Sequence, residues 1–231
     1  MRKSFDAEAY LSWVLAGLAG MLGAVAFTHS AGYFVTFMTG NTERAALGWF
    51  RGDPALAISA ALLVLAFLTG VVIASFGRRH MWPKRPHGVT VLTTVCLAIA
   101  TVLDIMLRGW AGREVPLSPV LFITFGVGAL NTTFSKNGEV SVPLSYVTGT
   151  LVKLGQGIER HISGGEFSDW LGYLLLYVGF VSGAVAGGVI SLQVSGSQML
   201  LAATAVSAAT AAYSHFHVDR HSVFAAGGDN G

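Results

Sequence analysis

Six stretches of the chain are apolar almost without interruption: 11–28, 54–76, 88–107, 116–134, 170–192 and 197–213. A bilayer core about 30 Å thick takes roughly 20 apolar residues of helix, so each stretch predicts a helix of about spanning length. None alternates apolar and polar residues with period two over strand-length windows, which removes the β-barrel pattern. The expected fold class is therefore an all-α membrane protein, a six-transmembrane-helix bundle forming a single membrane domain over residues 1–231.

Two connections are longer than turns. Residues 29–53 contain Phe37-Met38-Thr39-Gly40-Asn41-Thr42-Glu43-Arg44, and residues 135–169 contain Tyr146-Val147-Thr148-Gly149-Thr150-Leu151-Val152-Lys153. Both are half apolar, and too polar at the centre to cross lipid as ordinary spans. Each is read as a Thr-Gly helix break or re-entrant segment.

The two segments are part of a longer self-similarity. Gly20-Met21-Leu22-Gly23 falls on Gly128-Ala129-Leu130-Asn131 at an offset of 108, and Thr39-Gly40 falls on Thr148-Gly149 at 109, where Arg44 meets Lys153. Phe67-Leu68-Thr69-Gly70 falls on Phe180-Val181-Ser182-Gly183 at 113, and Ala100-Thr101 on Ala209-Thr210 at 109. Each half, about 10–108 and about 117–214, then holds three spans around one Thr-Gly segment. Three is odd, so the second half enters the membrane from the opposite side, which makes two inverted three-helix repeats. Small residues also recur every fourth position: Gly179, Gly183 and Gly187 in the fifth span, and Ala66, Gly70 and Ala74 at the matching places in the second. Rows of this kind let helix backbones approach closely. We assign them to helix packing.

Composition agrees with lipid as the solvent. Hydrophobic residues make up 53% of the chain and charged ones 11%, about half the charge of a soluble domain. The net charge of +2 is too small for a nucleic-acid surface. Cys96 is the single cysteine and forms no intrachain disulfide. Arg2 and Lys3 precede the first apolar stretch, and Ala24-Val25-Ala26 resembles a cleavage site. That stretch is long for a signal peptide and is diluted by Asp6 and Glu8, so it is expected to stay as a span. Orientation follows from the basic residues. With the loop carrying Arg78, Arg79, Lys84 and Arg85 in the cytoplasm, Arg2, Lys3, Lys136, Lys153, Arg160 and Arg220 also face inward. Only Arg44, Arg51, Arg108 and Arg113 face out. Both termini are then cytoplasmic, the last (215–231) as a disordered tail.

The Thr-Gly segments carry the most chemistry. A helix start offers unpaired N–H groups and a partial positive charge, which suit an anion. Thr39, Gly40, Asn41, Thr42, Thr148, Gly149 and Thr150 are the candidate substrate-pathway residues, together with Asn131, an amide inside the fourth span. Two placements stay open: re-entrant helix starts converging at mid-membrane, or caps of helices lying on each membrane face. Arg44 and Lys153 are read as lipid-headgroup contacts. Asp104 is read with Arg108, one turn later, as an anchoring pair. His215, His217 and His221 lack a ligand framework, and no metal or cofactor is expected. Thr28-His29-Ser30-Ala31-Gly32 lacks the first glycine of a nucleophile elbow, and no enzyme is expected.

Phe34-Val35-Thr36-Phe37-Met38-Thr39-Gly40-Asn41-Thr42 and Tyr146-Val147-Thr148-Gly149-Thr150-Leu151 resemble the YoaK family of bacterial integral membrane proteins, of undefined function. The resemblance covers about residues 10–213. It implies a six-span protein of the bacterial inner membrane and a small-molecule permease. Members usually carry an acidic residue in the first span where this chain has Gly23, so a proton-coupling role for that carboxylate has no residue here. The reading is a secondary permease or channel for a small solute, an organic anion or polar metabolite, working by alternating access between inverted repeats. The alternative is a non-transporting membrane scaffold or assembly partner. Expected partners are the lipid bilayer and an unknown small solute but no nucleic acid, with a homo-oligomer left open.

Overall fold

The computed structural model describes residues 7–83, 87–136, 139–142 and 144–218. Eight α-helices lie among them: α1 (Ala7–Thr28), α2 (Met38–Phe50), α3 (Pro54–His80), α4 (His87–Arg108), α5 (Leu117–Leu130), α6 (Val147–Ile162), α7 (Ser168–Ser191) and α8 (Gly196–Tyr213). Two two-residue strands, β1 (Ser135–Lys136) and β2 (Glu139–Val140), pair antiparallel between α5 and α6. Of the tail expected over 215–231, residues 215–218 belong to a π-helical turn that continues α8, and 219–231, with Arg220 and His221, lie outside the described residues. So do Arg2, Lys3, Lys84 and Arg85.

Helices α1, α3, α4, α7 and α8 are long and apolar enough to cross a membrane. Their outer faces carry apolar side chains in rows, Leu65, Leu68, Val72 and Phe76 on α3 and Val178, Val181, Val185 and Val189 on α7. Water would not tolerate so much contiguous apolar surface. The chain is a multi-pass membrane protein. The ends of its helices are set by local chemistry: Asp53 accepts from Leu56 N at 2.9 Å ahead of Pro54, and Ser195 and Gln198 form a capping box on α8.

The fourth apolar stretch differs from its expected 116–134 extent. Helix α5 has 14 residues, about 21 Å at 1.5 Å per residue, short of a full crossing. Side chains end it. Asn131 Nδ2 turns back to Val127 O at 2.9 Å, and the Thr132 and Thr133 hydroxyls donate to Ala129 O and Leu130 O at 2.8 and 2.7 Å. Such side-chain bonds compete with helix propagation.

Two helix pairs form the core, α1 on α7 and α3 on α5. Glycine sets both crossings. A Cβ on Gly20 would overlap the Phe180 carbonyl, and one on Gly183 the Gly17 carbonyl. In the other pair, a Cβ on Gly128 would overlap the Phe67 carbonyl, and one on Gly70 the Phe125 carbonyl. Gly179 lies against Trp13 O and Gly187 against Met21 O in the same way, and Ala74 packs on Ala129. With the backbones in contact, dispersion and weak Cα–H···O bonds hold the pairs. Helix α2 lies on α3 and α6 on α7, while α4 bridges α5 and α8. Between α4 and α8, Thr94 Oγ1 meets Ser207 Oγ at 2.8 Å and Thr101 Oγ1 meets Thr204 Oγ1 at 3.1 Å.

The ends of α1, α4 and α7 gather at one face, where Val115 N donates to His29 O, Ser195 Oγ to Trp110 O and Gly196 N to Gly112 O. At the opposite face the Arg78 guanidinium, at the end of α3, donates to Thr132 O and Thr133 O beyond α5.

Candidate functional site

Between α1 and α2 the chain folds back on itself, and side chains hold it there. Ser30 Oγ donates to Ala26 O at 2.5 Å and accepts from Tyr33 N at 3.1 Å. Asn41 Nδ2 donates to Phe34 O at 2.7 Å, and Arg44 Nη1 to Gly32 O at 2.7 Å. The Arg44 guanidinium also sits 4.2 Å from the centre of the Phe34 ring, and Phe34 stacks on Phe27 at 5.2 Å. Arg44 thus clamps the returning segment, a role different from the headgroup contact expected for it. Lys153 stands 5.6 Å from the Tyr173 ring centre.

Helices α2 and α6 then begin alike. Their N-cap residues, Phe37 (φ −111°, ψ 75°) and Tyr146 (φ −87°, ψ 69°), share one backbone conformation, and neither helix has a side-chain cap. The first N–H groups of a helix have no partner within it. At both starts an aromatic ring lies over the glycine that follows, so that a Cβ on Gly40 or Gly149 would collide with the Phe37 or Tyr146 ring.

Both starts border one cavity of about 780 Å³. Its lining includes Phe67 and Phe180, which stand at the middle of the 27-residue α3 and the 24-residue α7. The cavity therefore lies near half depth of the bundle. Six aromatic residues lie on its wall: Phe27, Phe34, Phe37, Phe67, Tyr146 and Phe180. The polar side chains on it are Thr36, Thr39, Asn131, Ser145 and Thr148, and among the described residues no charged one lines it.

Of the pathway residues expected from sequence, Thr39, Thr148 and Asn131 reach this cavity. Asn131 is fully engaged, with Nδ2 donating to Ser145 Oγ at 2.7 Å and Oδ1 accepting from Ser145 N at 3.0 Å. The other five make contacts within the chain. Gly40 and Gly149 are covered by rings, Asn41 holds Phe34 O, and the Thr42 and Thr150 hydroxyls bond back to Met38 O and Tyr146 O at 2.9 and 3.2 Å. Sequence reasoning did not single out Thr36, Ser145, Phe67 or Phe180. A signal was there: Thr36 and Ser145 share the 109-residue offset of the Thr-Gly segments, and Phe67 and Phe180 sit in the matched tetrapeptides.

Asp104 has a hydrogen-bond partner beyond the Arg108 expected for it. Asp104 is fully buried and accepts from Ser197 Oγ of α8 at 2.5 Å, while Arg108 is exposed. His215 faces the His87 ring at 4.7 Å. Among the described residues no group of three or more His, Cys, Asp or Glu is placed to hold a metal ion.

A family model described as "Protein of unknown function (DUF1275)" matches residues 11–213. A protein of Rhizobium meliloti (strain 1021) described as UPF0700 transmembrane protein RA0705 is 28% identical over 177 residues, which cover 75% of this chain and 71% of that one. No solved structure matches.

Proposed function

The chain belongs to this family of unknown function, and from that premise we propose that it is a secondary permease or channel for a small solute. The observation that carries the reading is the cavity at half depth, bordered by two uncapped helix starts that lie 109 residues apart in sequence. Ligand sites of secondary transporters recur in this setting, near the bilayer midplane and at interrupted helices. Irregular backbone at that depth survives where protein or a watery cavity satisfies it.

We read the chain as an inverted duplication in which α1–α4 correspond to α5–α8 and α5 counts as a sixth, shortened span. Contacts that exchange between the halves support this. Gly20 against Phe180 has its counterpart in Gly128 against Phe67, and Gly183 against Gly17 in Gly70 against Phe125, at the offsets of 108 and 113 found in the sequence. The resemblance to the YoaK family at both Thr-Gly segments, which implies six spans and a small-molecule permease, supports the permease reading. The face bearing Arg78 and Arg79 is the cytoplasmic one in this scheme, with both termini on that side of the inner membrane.

Alternating access then takes a modified form. Because α1 packs on α7 and α5 on α3, the sequence halves interlock, and the rocking units are α1–α7 with α6 against α3–α5 with α2. The test has two arms. Single cysteines at 39, 41, 148 and 150 in a Cys96→Ala protein are treated with a membrane-impermeant maleimide. Positions 39 and 148 should label and 41 and 150 should not. Solute flux into liposomes is then compared among wild type, Thr148→Val and Gly40→Leu. Protection of both 39 and 148 from either side would remove the aqueous path and leave the scaffold reading; identical flux in all three proteins would take these residues out of the mechanism.

A further inference from the structure

Resting on the permease reading of the central cavity, we propose that its solute is an aromatic monocarboxylate whose carboxylate occupies the space left by the missing side chain at Gly23. The argument starts from an asymmetry between matching positions. Asn131 and Ser145 are bonded to one another by two hydrogen bonds. Their counterparts at offsets of 108 and 109 are Gly23 and Thr36. A Cβ built on Gly23 would stand 3.0 Å from Thr36 Oγ1, so a side chain there would meet Thr36 as Asn131 meets Ser145. None is present. The Thr36 hydroxyl makes no hydrogen bond among the described residues, and Gly23 and Thr36 both line the cavity.

A hydroxyl facing an apolar cavity without a partner is costly, and a solute group that accepts its hydrogen supplies one. Thr39, also on the cavity, offers a second hydroxyl beside the uncapped start of α2. This cluster of donors suits a carboxylate. The rest of the wall selects the body of the molecule. Phe27, Phe67, Phe180 and Tyr146 lie on the wall, and aromatic side chains favour a flat ring in offset or edge-on contact. With no charged side chain on the wall among the described residues, a second charge on the solute would go uncompensated. One ring and one negative charge fit. A volume of about 780 Å³ falls inside the usual range for small-molecule sites, about 300–1,000 Å³.

The test uses the full-length protein in nanodiscs and radiolabelled benzoate as probe, with acetate, benzyl alcohol and phthalate as competitors. Benzoate should bind saturably, and the three competitors should displace it about tenfold less well than unlabelled benzoate: acetate lacks the ring, benzyl alcohol lacks the charged acceptor, and phthalate brings a second, uncompensated charge. Gly23→Asn, which restores the amide that the second half carries, should weaken benzoate by at least about tenfold through the lost hydrogen bond and space while leaving the melting temperature without probe at or above that of wild type. Thr36→Val serves as the second variant should Gly23→Asn fail to fold, with the same expected loss. Benzoate binding that is equal in wild type and either folded variant overturns the Gly23 assignment. Absence of saturable benzoate binding in a protein whose cysteines at 39 and 148 label from water overturns the solute class and leaves the permease reading standing. Protection of those cysteines defeats the permease reading, and this proposal with it.

Discussion

Replacing Asn131 by leucine tests whether its amide holds the start of α6 in place. The substitution removes three hydrogen bonds at once: Nδ2 to Val127 O, Nδ2 to Ser145 Oγ, and Ser145 N to Oδ1. Interhelical hydrogen bonds in membranes are worth about 0.6 kcal/mol on average and up to about 1.7. The three bonds here, one back onto α5 and two to Ser145, come to about 2 kcal/mol on that scale, or about a 30-fold change in the unfolding equilibrium. Leucine has similar bulk, so little of the loss comes from an empty space. Ser145→Ala removes only the hydroxyl bond and keeps the backbone N–H to Oδ1, so it should cost about 0.6 kcal/mol. The double variant should cost less than the two singles together, because both remove the same Nδ2–Oγ bond. Stability is read by titrating mixed micelles with dodecyl sulfate and following tryptophan fluorescence. A cysteine at 148 provides a local readout, since a loosened α6 should label faster in the Asn131→Leu background. An Asn131→Leu protein as stable as wild type, with unchanged labelling, refutes the reasoning: the amide would then fill space and position nothing.

Other expectations follow from single contacts. Gly183→Leu and Gly70→Leu drive a side chain into the Gly17 and Phe125 carbonyls and should each cost about 1–3 kcal/mol, seen as a lower melting temperature by size-exclusion thermostability. Gly188→Leu, with nothing within 4 Å of its Cβ position, should stay near wild type in the same assay. Arg78→Met loses the donors to Thr132 O and Thr133 O and should destabilise by about 2 kcal/mol, with part regained in Arg78→Lys. Ser197→Ala leaves the buried Asp104 carboxyl without its hydroxyl partner, at a cost of about 1–3 kcal/mol that Ser197→Thr should largely restore. Cys96 is buried at 5% exposure against Gly126, so a water-soluble maleimide should modify it only after unfolding, as followed by mass spectrometry.

The apolar stretches revealed five spans directly, because lipid demands unbroken apolar length and little else supplies it. The end of α5 was hidden for a different reason. Asn131, Thr132 and Thr133 turn back onto α5 locally, but what holds Asn131 in place is Ser145, 14 residues away, and that pairing has no local signature. The glycine rows of α7 predicted a close crossing but not its partner, since any helix backbone satisfies a small-residue stripe; only the fold identifies α1. At the Thr-Gly segments the break was legible and its chemistry was not. Thr42 and Thr150 have the residue type of a ligand-binding side chain, yet both spend their hydroxyls on the preceding helical turn. Thr36 and Ser145 went unnoticed because a short polar residue before a helix reads as an ordinary approach. Their place on the cavity depends on how the returning segments are held, and for the first of these the pins are Asn41 and Arg44.

Packing and cavity are joined through two residues. The backbone carbonyl of Phe67 seats Gly128, and that of Phe180 seats Gly20, while the rings of both phenylalanines line the cavity. A change in either crossing would therefore displace a wall of the cavity, and a reshaped wall would strain a backbone contact that has no slack. Within a pair the glycines leave no room for sliding without overlap. Between the pairs the contact is looser: α1 and α5 touch sparingly, the cavity opens beside them, and α4 and α8 join the pairs through Thr94–Ser207 and Thr101–Thr204. On the permease reading proposed above, motion that exposes the site to one side and then the other would be cheapest along that seam, with each pair moving as one body and carrying its phenylalanine along. The glycine rows, silent about ligands in themselves, would then fix which pieces of the protein stay together when the site changes its exposure.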